Sequence, residues 1–201
     1  MLLLLVTLSF LGPTFSYDLF GQTTPIWRRK EGLEKFQNAW QSLNTPVGTE
    51  YVLYKATYQN DEYSWGRKFK CMTVKIASVN PAQKSVTSRY IFLNATAGVH
   101  HVTEVVKAVK RGGSRTPNAF EHHLADGVTK LTDHVIYTDQ VCDLLNVPYK
   151  QNGKGCELWV RKSFVRAVPQ CCLFMFNVFC ANSGYDLYNV NECKHVRDPG
   201  V

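Results

Sequence analysis

The chain has 201 residues, 45% of them hydrophobic and 19% charged, with a formal net charge of +7. That is enough apolar material for one globular domain with a real core. The basic excess is scattered in small groups such as Arg28-Arg29-Lys30 and Lys107, Lys110, Arg111, which reads as a solvated face and argues against a nucleic-acid-binding or membrane-binding tract. Met1 to Phe15 is almost purely apolar, too short to span a bilayer, and reads as a secretory signal peptide over residues 1–16, leaving residues 17–201 as a single domain. Residues 17–30 carry no periodicity and predict an irregular arm. From Glu31 to Leu43, the helical spacing of Leu33, Phe36, Trp40 and Leu43 predicts a short amphipathic helix ended by Pro46 and Gly48.

Beyond that point the texture changes. Glu50–Tyr58, Arg67–Val79, Val86–Asn94, Val102–Lys110, Ala119–Leu124, Val128–Thr138, Val141–Val147 and Gly155–Lys162 are rich in Val, Ile, Thr, Tyr and Phe, and turn pairs such as Asn-Asp, Asn-Pro, Gly-Gly, Asp-Gly and Asn-Gly separate them. Such a run, with no helix between its members, predicts an all-β antiparallel meander, and eight strands close a barrel with room for one small ligand. Pro169 suits a first helical turn, and Val168, Cys172, Met175 and Phe179 predict a second amphipathic helix. The tail from Tyr185 to Cys193 is expected to be extended and tied down by its cysteine.

Seven cysteines, at 71, 142, 156, 171, 172, 180 and 193, fit an oxidising, secreted route, and their odd number leaves at least one unpaired or intermolecular. No Cys-x-x-Cys pair is present, which argues against a zinc ribbon or a thioredoxin-like site. His100-His101 and His122-His123 are strand neighbours that face opposite ways, so no metal site is expected. No nucleophile elbow, metal motif or phosphate loop marks an enzyme or a cofactor site. Asn94-Ala95-Thr96 is a glycosylation sequon.

The stretch with chemistry is Gly155-Cys156-Glu157-Leu158-Trp159-Val160. Glu157 and Trp159 stand two apart and share one face of a strand, while Leu158 and Val160 take the other. Facing outward, Glu157 and Trp159 are an ordinary surface pair. Facing inward beside Cys142-Asp143-Leu144, which carries a second acid, they make a wall suited to a small organic cation.

The chain resembles the tick salivary lipocalins, and within them the histamine-binding proteins. The residues that carry the likeness are Ala39-Trp40-Gln41-Ser42-Leu43, the run Lys55 to Asp61, and a biogenic-amine signature met by Cys142-Asp143-Leu144, Glu157-Leu158-Trp159 and Cys171 or Cys172. The resemblance implies an eight-stranded antiparallel lipocalin barrel with a short N-terminal helix and a C-terminal helix packed outside. It also implies a secreted, non-catalytic binder of histamine, with serotonin as a further candidate, that needs no cofactor. By position, the implied ligand-facing set is Tyr58, Asp61, Trp65, Glu104, Phe120, Asp133, Asp143, Glu157 and Trp159, with Ser42 near one mouth. Three positions depart from the pattern: Pro46 replaces an acid, His122 replaces a ligand-facing tyrosine and is thereby placed in the set, and Leu131 replaces an aromatic. The likeness further implies the bridges Cys71–Cys193 and Cys142–Cys172, with Cys156–Cys180 as the natural third. Cys171 is left over, free in a monomer or available for an intermolecular bridge.

Inward carboxylates repel one another and are poorly solvated, so some of their pKa values are expected to rise. An amine should bind less well on acidification, and part of the loss is expected at the ordinary pKa of His122, about 6.5. Two rival functions remain. A fatty acid or eicosanoid would need an inward cation, for which Arg89 and Arg115 are candidates. A protein inhibitor of host defence would act through its surface loops.

Overall fold

The computed structural model describes residues 25–29, 32–180 and 184–197, so the segment 1–16 expected to be a signal peptide lies outside the described residues. In chain order the elements are α1 (Ile26–Arg29), α2 (Ala39–Leu43), β1 (Glu50–Ala56), β2 (Asn60–Asp61), β3 (Gly66–Arg67), β4 (Lys70–Asn80), β5 (Ser85–Leu93), β6 (His100–Val109), β7 (Ala119–His123), β8 (Lys130–Thr138), β9 (Cys142–Val147), β10 (Gly155–Arg161), α3 (Gln170–Phe179), β11 (Tyr185–Asp186) and α4 (Val190–Cys193). Strands β4 to β10 form an antiparallel meander. β1 pairs with β4 on one side and β10 on the other, which closes an eight-stranded barrel, and β11 adds to the rim of β1. Closure leaves none of these eight strands with a long free edge for another chain to pair with.

Side-chain parity divides the molecule into two cores. Tyr51, Leu53, Val74, Ile76, Tyr90, Phe92, Val106, Phe120, Leu145 and Trp159 fill the barrel. Val52, Ile136, Leu144, Leu158 and Val160 point the other way and are covered from outside by Cys172 and Phe176 of α3 and by Trp27 of α1. On β6, whose outer face is open, burial alternates residue by residue, whereas β9 is buried along its whole length because α3 lies over it. Phe176 is 1% exposed, and its burial contributes about 1.5–3 kcal/mol.

The three expected disulfides are present: Cys71–Cys193, Cys142–Cys172 and Cys156–Cys180. The second and third pin the two ends of α3 to β9 and β10, and the first ties the start of β4 to α4. Cys171 is exposed and free. Under native, non-reducing conditions it should be the sole cysteine alkylated by iodoacetamide, and peptide mass mapping will read this directly. Modification at any other cysteine would contradict the pairing.

Four local expectations need correction. Ile26–Arg29, within the arm read as irregular, forms a helical turn. The single helix over 31–43 is broken into a 3-10 turn, Glu34–Phe36, and α2. The break lies at Asn38, whose extended backbone and side-chain Oδ1, accepting from Gln41 N at 3.1 Å, make it the N-cap of α2. Pro169 is likewise the N-cap of α3 rather than a member of its first turn. The tail is not extended throughout, since α4 adds a helical turn capped by Asn189. The small β2–β3 hairpin is a further element that hydrophobic alternation does not signal. Its turn spans residues 62–65, and Gly66, which opens β3 at φ +77°, is where an added Cβ would lie 2.9 Å from Asn94 Nδ2.

Candidate ligand-binding site

One end of the barrel is closed by α2, which rests its buried Ala39, Ser42 and Leu43 on the inner strands and donates Ala39 N to Pro117 O at 2.9 Å. The β2–β3 hairpin folds Trp65 inward and is held to the β5–β6 loop by Asn94 Nδ2, which donates to Trp65 O at 3.0 Å. The sequon amide nitrogen is thus engaged in holding the hairpin. Between these closures lies a cavity walled by Trp65, Tyr90, Phe120 and Trp159, with Tyr51, Ser42, Ser88, His122, Asp143 and Glu157 as its polar lining. Its volume is about 60 Å³, room for a few waters or a small ring.

Glu157 is 2% exposed. It accepts a short hydrogen bond from Tyr58 Oη and another from Trp159 Nε1 at 2.8 Å. Trp159 follows Glu157 by two residues on the same face of β10, so its indole lies beside the carboxylate it serves. Trp159 stands edge-on to both Trp65 and Tyr90, which are tilted 39° to each other, with all ring centroids 6.1–6.2 Å apart, and aromatic surface of this kind suits a cation or a ring. Burial, reinforced by the negative charge of Asp133, raises the Glu157 carboxyl to about 8. Asp143 sits opposite Trp159 in the β9–β10 register, and Glu157 sits opposite Leu145, so the two acids are diagonal neighbours on one wall. Asp143 Oδ2 accepts from Ser42 Oγ at 2.8 Å, and burial raises this carboxyl to about 6. Its other oxygen, with Tyr51 Oη and Trp65 Nε1, is buried without a hydrogen-bond partner among the described residues. Buried polar atoms are rarely left so, and these belong to three residues lining the same cavity.

Each remaining acid of the implied set lies against a cation of the protein, though Asp133 Oδ1, like Asp143 Oδ1, is buried without a hydrogen-bond partner among the described residues. Glu104 on β6 and Asp133 on β8 flank His122 on β7. His122 Nδ1 lies 3.2 Å from Glu104 Oε2, and Nε2 lies 3.1 Å from Asp133 Oδ2, close enough for an ion pair but off the line of a hydrogen bond. Ser64 Oγ donates to the second Glu104 oxygen at 3.0 Å. Burial pushes the imidazole down, but Asp133 and Glu104 outweigh it and raise His122 to about 10. The expectation of a histidine titrating near 6.5 is therefore corrected: two carboxylates hold it charged through the neutral range. Phe120 packs edge-on to this ring at 6.4 Å.

Asp61, also read as ligand-facing, instead organises the hairpin. It accepts from Ser64 N at 2.9 Å and Trp65 N at 3.0 Å, and it pairs with Lys150 Nζ at 2.9 Å. Lys150, 5% exposed, also pairs with Glu62 and lies 5.1–5.8 Å from the ring centres of Tyr58, Tyr63 and Tyr149. Burial opposes its charge, yet Glu62 and Asp61 raise its pKa. The rival inward cations, Arg89 and Arg115, are both exposed. Sequence reasoning missed Tyr51, Ser88, Tyr90 and Lys150. The first three have a readable signal, since Tyr51 alternates with Leu53, and Ser88 and Tyr90 with Val86. Lys150 has none, because a lysine between a tyrosine and Gln-Asn-Gly reads as an exposed turn residue.

Comparison with known proteins places this geometry among relatives. The family described as tick histamine binding protein matches residues 27–195. Female-specific histamine-binding protein 1 of Rhipicephalus appendiculatus is 31% identical over 159 residues, covering 78% of this chain and 82% of its own. The male-specific histamine-binding salivary protein of the same tick is 26% identical over 178 residues, covering 85% and 88%. Among solved structures, Japanin from Rhipicephalus appendiculatus, determined bound to cholesterol, superposes with a TM-score of 0.52 at 16% identity over 74% of this chain and 96% of its own. That likeness speaks for the fold alone.

Proposed function

The chain belongs to the tick histamine-binding protein family, and on that premise we propose that it is a secreted lipocalin that sequesters a small biogenic amine, histamine or serotonin, inside the barrel. The observation that carries the reading is the wall formed by Asp143 and Glu157, two buried carboxylates facing a cavity lined by Trp65, Tyr90 and Trp159. Asp143, with one oxygen unpartnered, is the anchor for an ammonium. Glu157 receives the other polar end of the ligand, and the aromatic rings cover the apolar body. Charge-assisted hydrogen bonds of this kind contribute about 1.5–3 kcal/mol each, so two with ring contacts support affinities on the order of nanomolar, about −12 kcal/mol. The small cavity favours an amine over a sterol or a long acyl chain, either of which would have to displace the walls. The exposed Arg89 and Arg115 give a fatty-acid carboxylate no inward cation. No catalytic step is part of this reading.

The site also sets the pH response. An ammonium held at Asp143, the diagonal neighbour of Glu157 on the same wall, stabilises the charged form of Glu157, so binding at neutral pH expels the proton that its raised pKa of about 8 retains. Affinity should therefore rise with pH between 6.5 and 8.5, by up to about tenfold per unit below the pKa, and no separate step should mark His122. Calorimetry against histamine and serotonin, in two buffers of different ionisation heat, measures both affinity and proton release. Failure of both amines to bind would end the amine reading. Binding without proton release would remove Glu157 from the site while leaving Asp143.

A further inference from the structure

Within the reading of the cavity as an amine site, we propose that His122 is a built-in cation that permanently fills the acid pair Glu104 and Asp133, so that the barrel accepts one ligand ammonium rather than two. The strand register produces this arrangement. His122 stands opposite Val106 on β6 and Leu131 on β7's other neighbour, β8, while Glu104 and Asp133 lie two residues along those strands on the same inward face. The imidazole thus has one acid diagonally on each side, within reach of both ring nitrogens at 3.2 and 3.1 Å. Diagonal cross-strand neighbours on one face are close enough for long side chains to meet.

The burial pattern makes a neutral ring costly here. Glu104 is 4% and Asp133 3% exposed, and two buried carboxylates with no cation between them would repel each other and be poorly solvated. With the ring charged, both acids have their counter-ion within the protein. The other groups in this electrostatic neighbourhood are Tyr90 and Tyr149, whose hydroxyls burial and the surrounding acids hold protonated, and Glu157. None supplies a competing positive charge. Lys150 does the equivalent for Asp61 at the hairpin. Of the five acids buried among the described residues, Asp61, Glu104, Asp133, Asp143 and Glu157, only the last two therefore lack a cation from those residues.

Three measurements on the full chain and its His122→Ala variant test this. In long-range proton–nitrogen spectra of the unliganded parent at pH 7.5, both ring nitrogens of His122 should carry protons; a neutral ring overturns the proposal whether or not any amine binds. In calorimetry, the parent should take up one histamine per chain and His122→Ala two, the added one entering the space between Glu104 and Asp133. Imidazolium at millimolar concentration should raise the melting temperature of His122→Ala by several degrees and leave that of the parent unchanged. Two histamines in the parent, or one in the variant with no imidazolium effect, overturns the proposal. If the parent binds no amine, the functional reading fails while the spectra still decide the state of His122. If His122→Ala does not fold, the spectra and the stoichiometry of the parent decide alone.

Discussion

Glu157→Gln should weaken amine binding about tenfold to hundredfold at pH 8.5, because it deletes one charge-assisted hydrogen bond worth about 1.5–3 kcal/mol and keeps the shape of the wall. The hydrogen bonds from Tyr58 and Trp159 can be largely retained by the carboxamide, since its oxygen accepts from one and its nitrogen donates to the hydroxyl of the other. The fold should therefore survive. The size of the loss should depend on pH in a way that identifies its cause. The Glu157 carboxyl, raised to about 8 by burial and by Asp133, is already largely neutral in the unliganded parent at pH 6.5, so there the parent has little charge to lose relative to the variant. The two affinity curves should converge towards pH 6.5 and separate towards 8.5. A fatty acid should bind the variant no worse than the parent. Equal amine affinities at pH 8.5 would take Glu157 out of the site, and a gap that is constant with pH would show that its charge is not what the ligand meets.

Replacing both Cys71 and Cys193 by Ala should lower stability by about 4–5 kcal/mol, the chain-entropy value for a cross-link closing a loop of this size, here with a sequence separation of 122. For a chain of this length that corresponds to a fall in melting temperature of roughly 10–20 °C. Local packing adds to the argument. Cys71 N donates to Leu187 O at 2.7 Å, and Leu187, 2% exposed, is the tail's contribution to the barrel core. Once the bridge is gone, little but β11 and Leu187 holds the tail against β1 and β4. Amine affinity should change by no more than a few fold, because neither cysteine lines the cavity. Urea melts with calorimetry on the same sample separate the two effects. A large loss of affinity with unchanged stability would be the opposite of this expectation.

The eight barrel strands are legible in the chain itself because β-branched and aromatic runs bounded by turn pairs leave few other local conformations. Val86–Asn94 and β5, or Gly155–Lys162 and β10, differ only at their ends. The shared face of Glu157 and Trp159 is equally local, since it follows from the two-residue period of a strand. Which way that face points is not. Leu158 and Val160 are as buried as Glu157 and Trp159, so alternation carries no information on a strand whose outer side is covered. Only the docking of α3, fixed by Cys142–Cys172 and Cys156–Cys180, decides that the acid and the indole face the cavity.

The pairing of acids with internal cations lies further still from the sequence. Glu104, His122 and Asp133 meet because three strands align in one register, and Lys150 reaches Asp61 across 89 positions of chain through a turn that reads as solvent-exposed. Type and spacing along the chain mark these residues as polar, and a resemblance marks several of them as ligand-facing. Whether a buried carboxylate awaits a ligand or already holds a charge of the protein's own depends on what lies within a few ångströms in space. That is decided by the register of the barrel and the closure of its ends, because Coulomb energy and desolvation depend on distance and burial and not on separation along the chain.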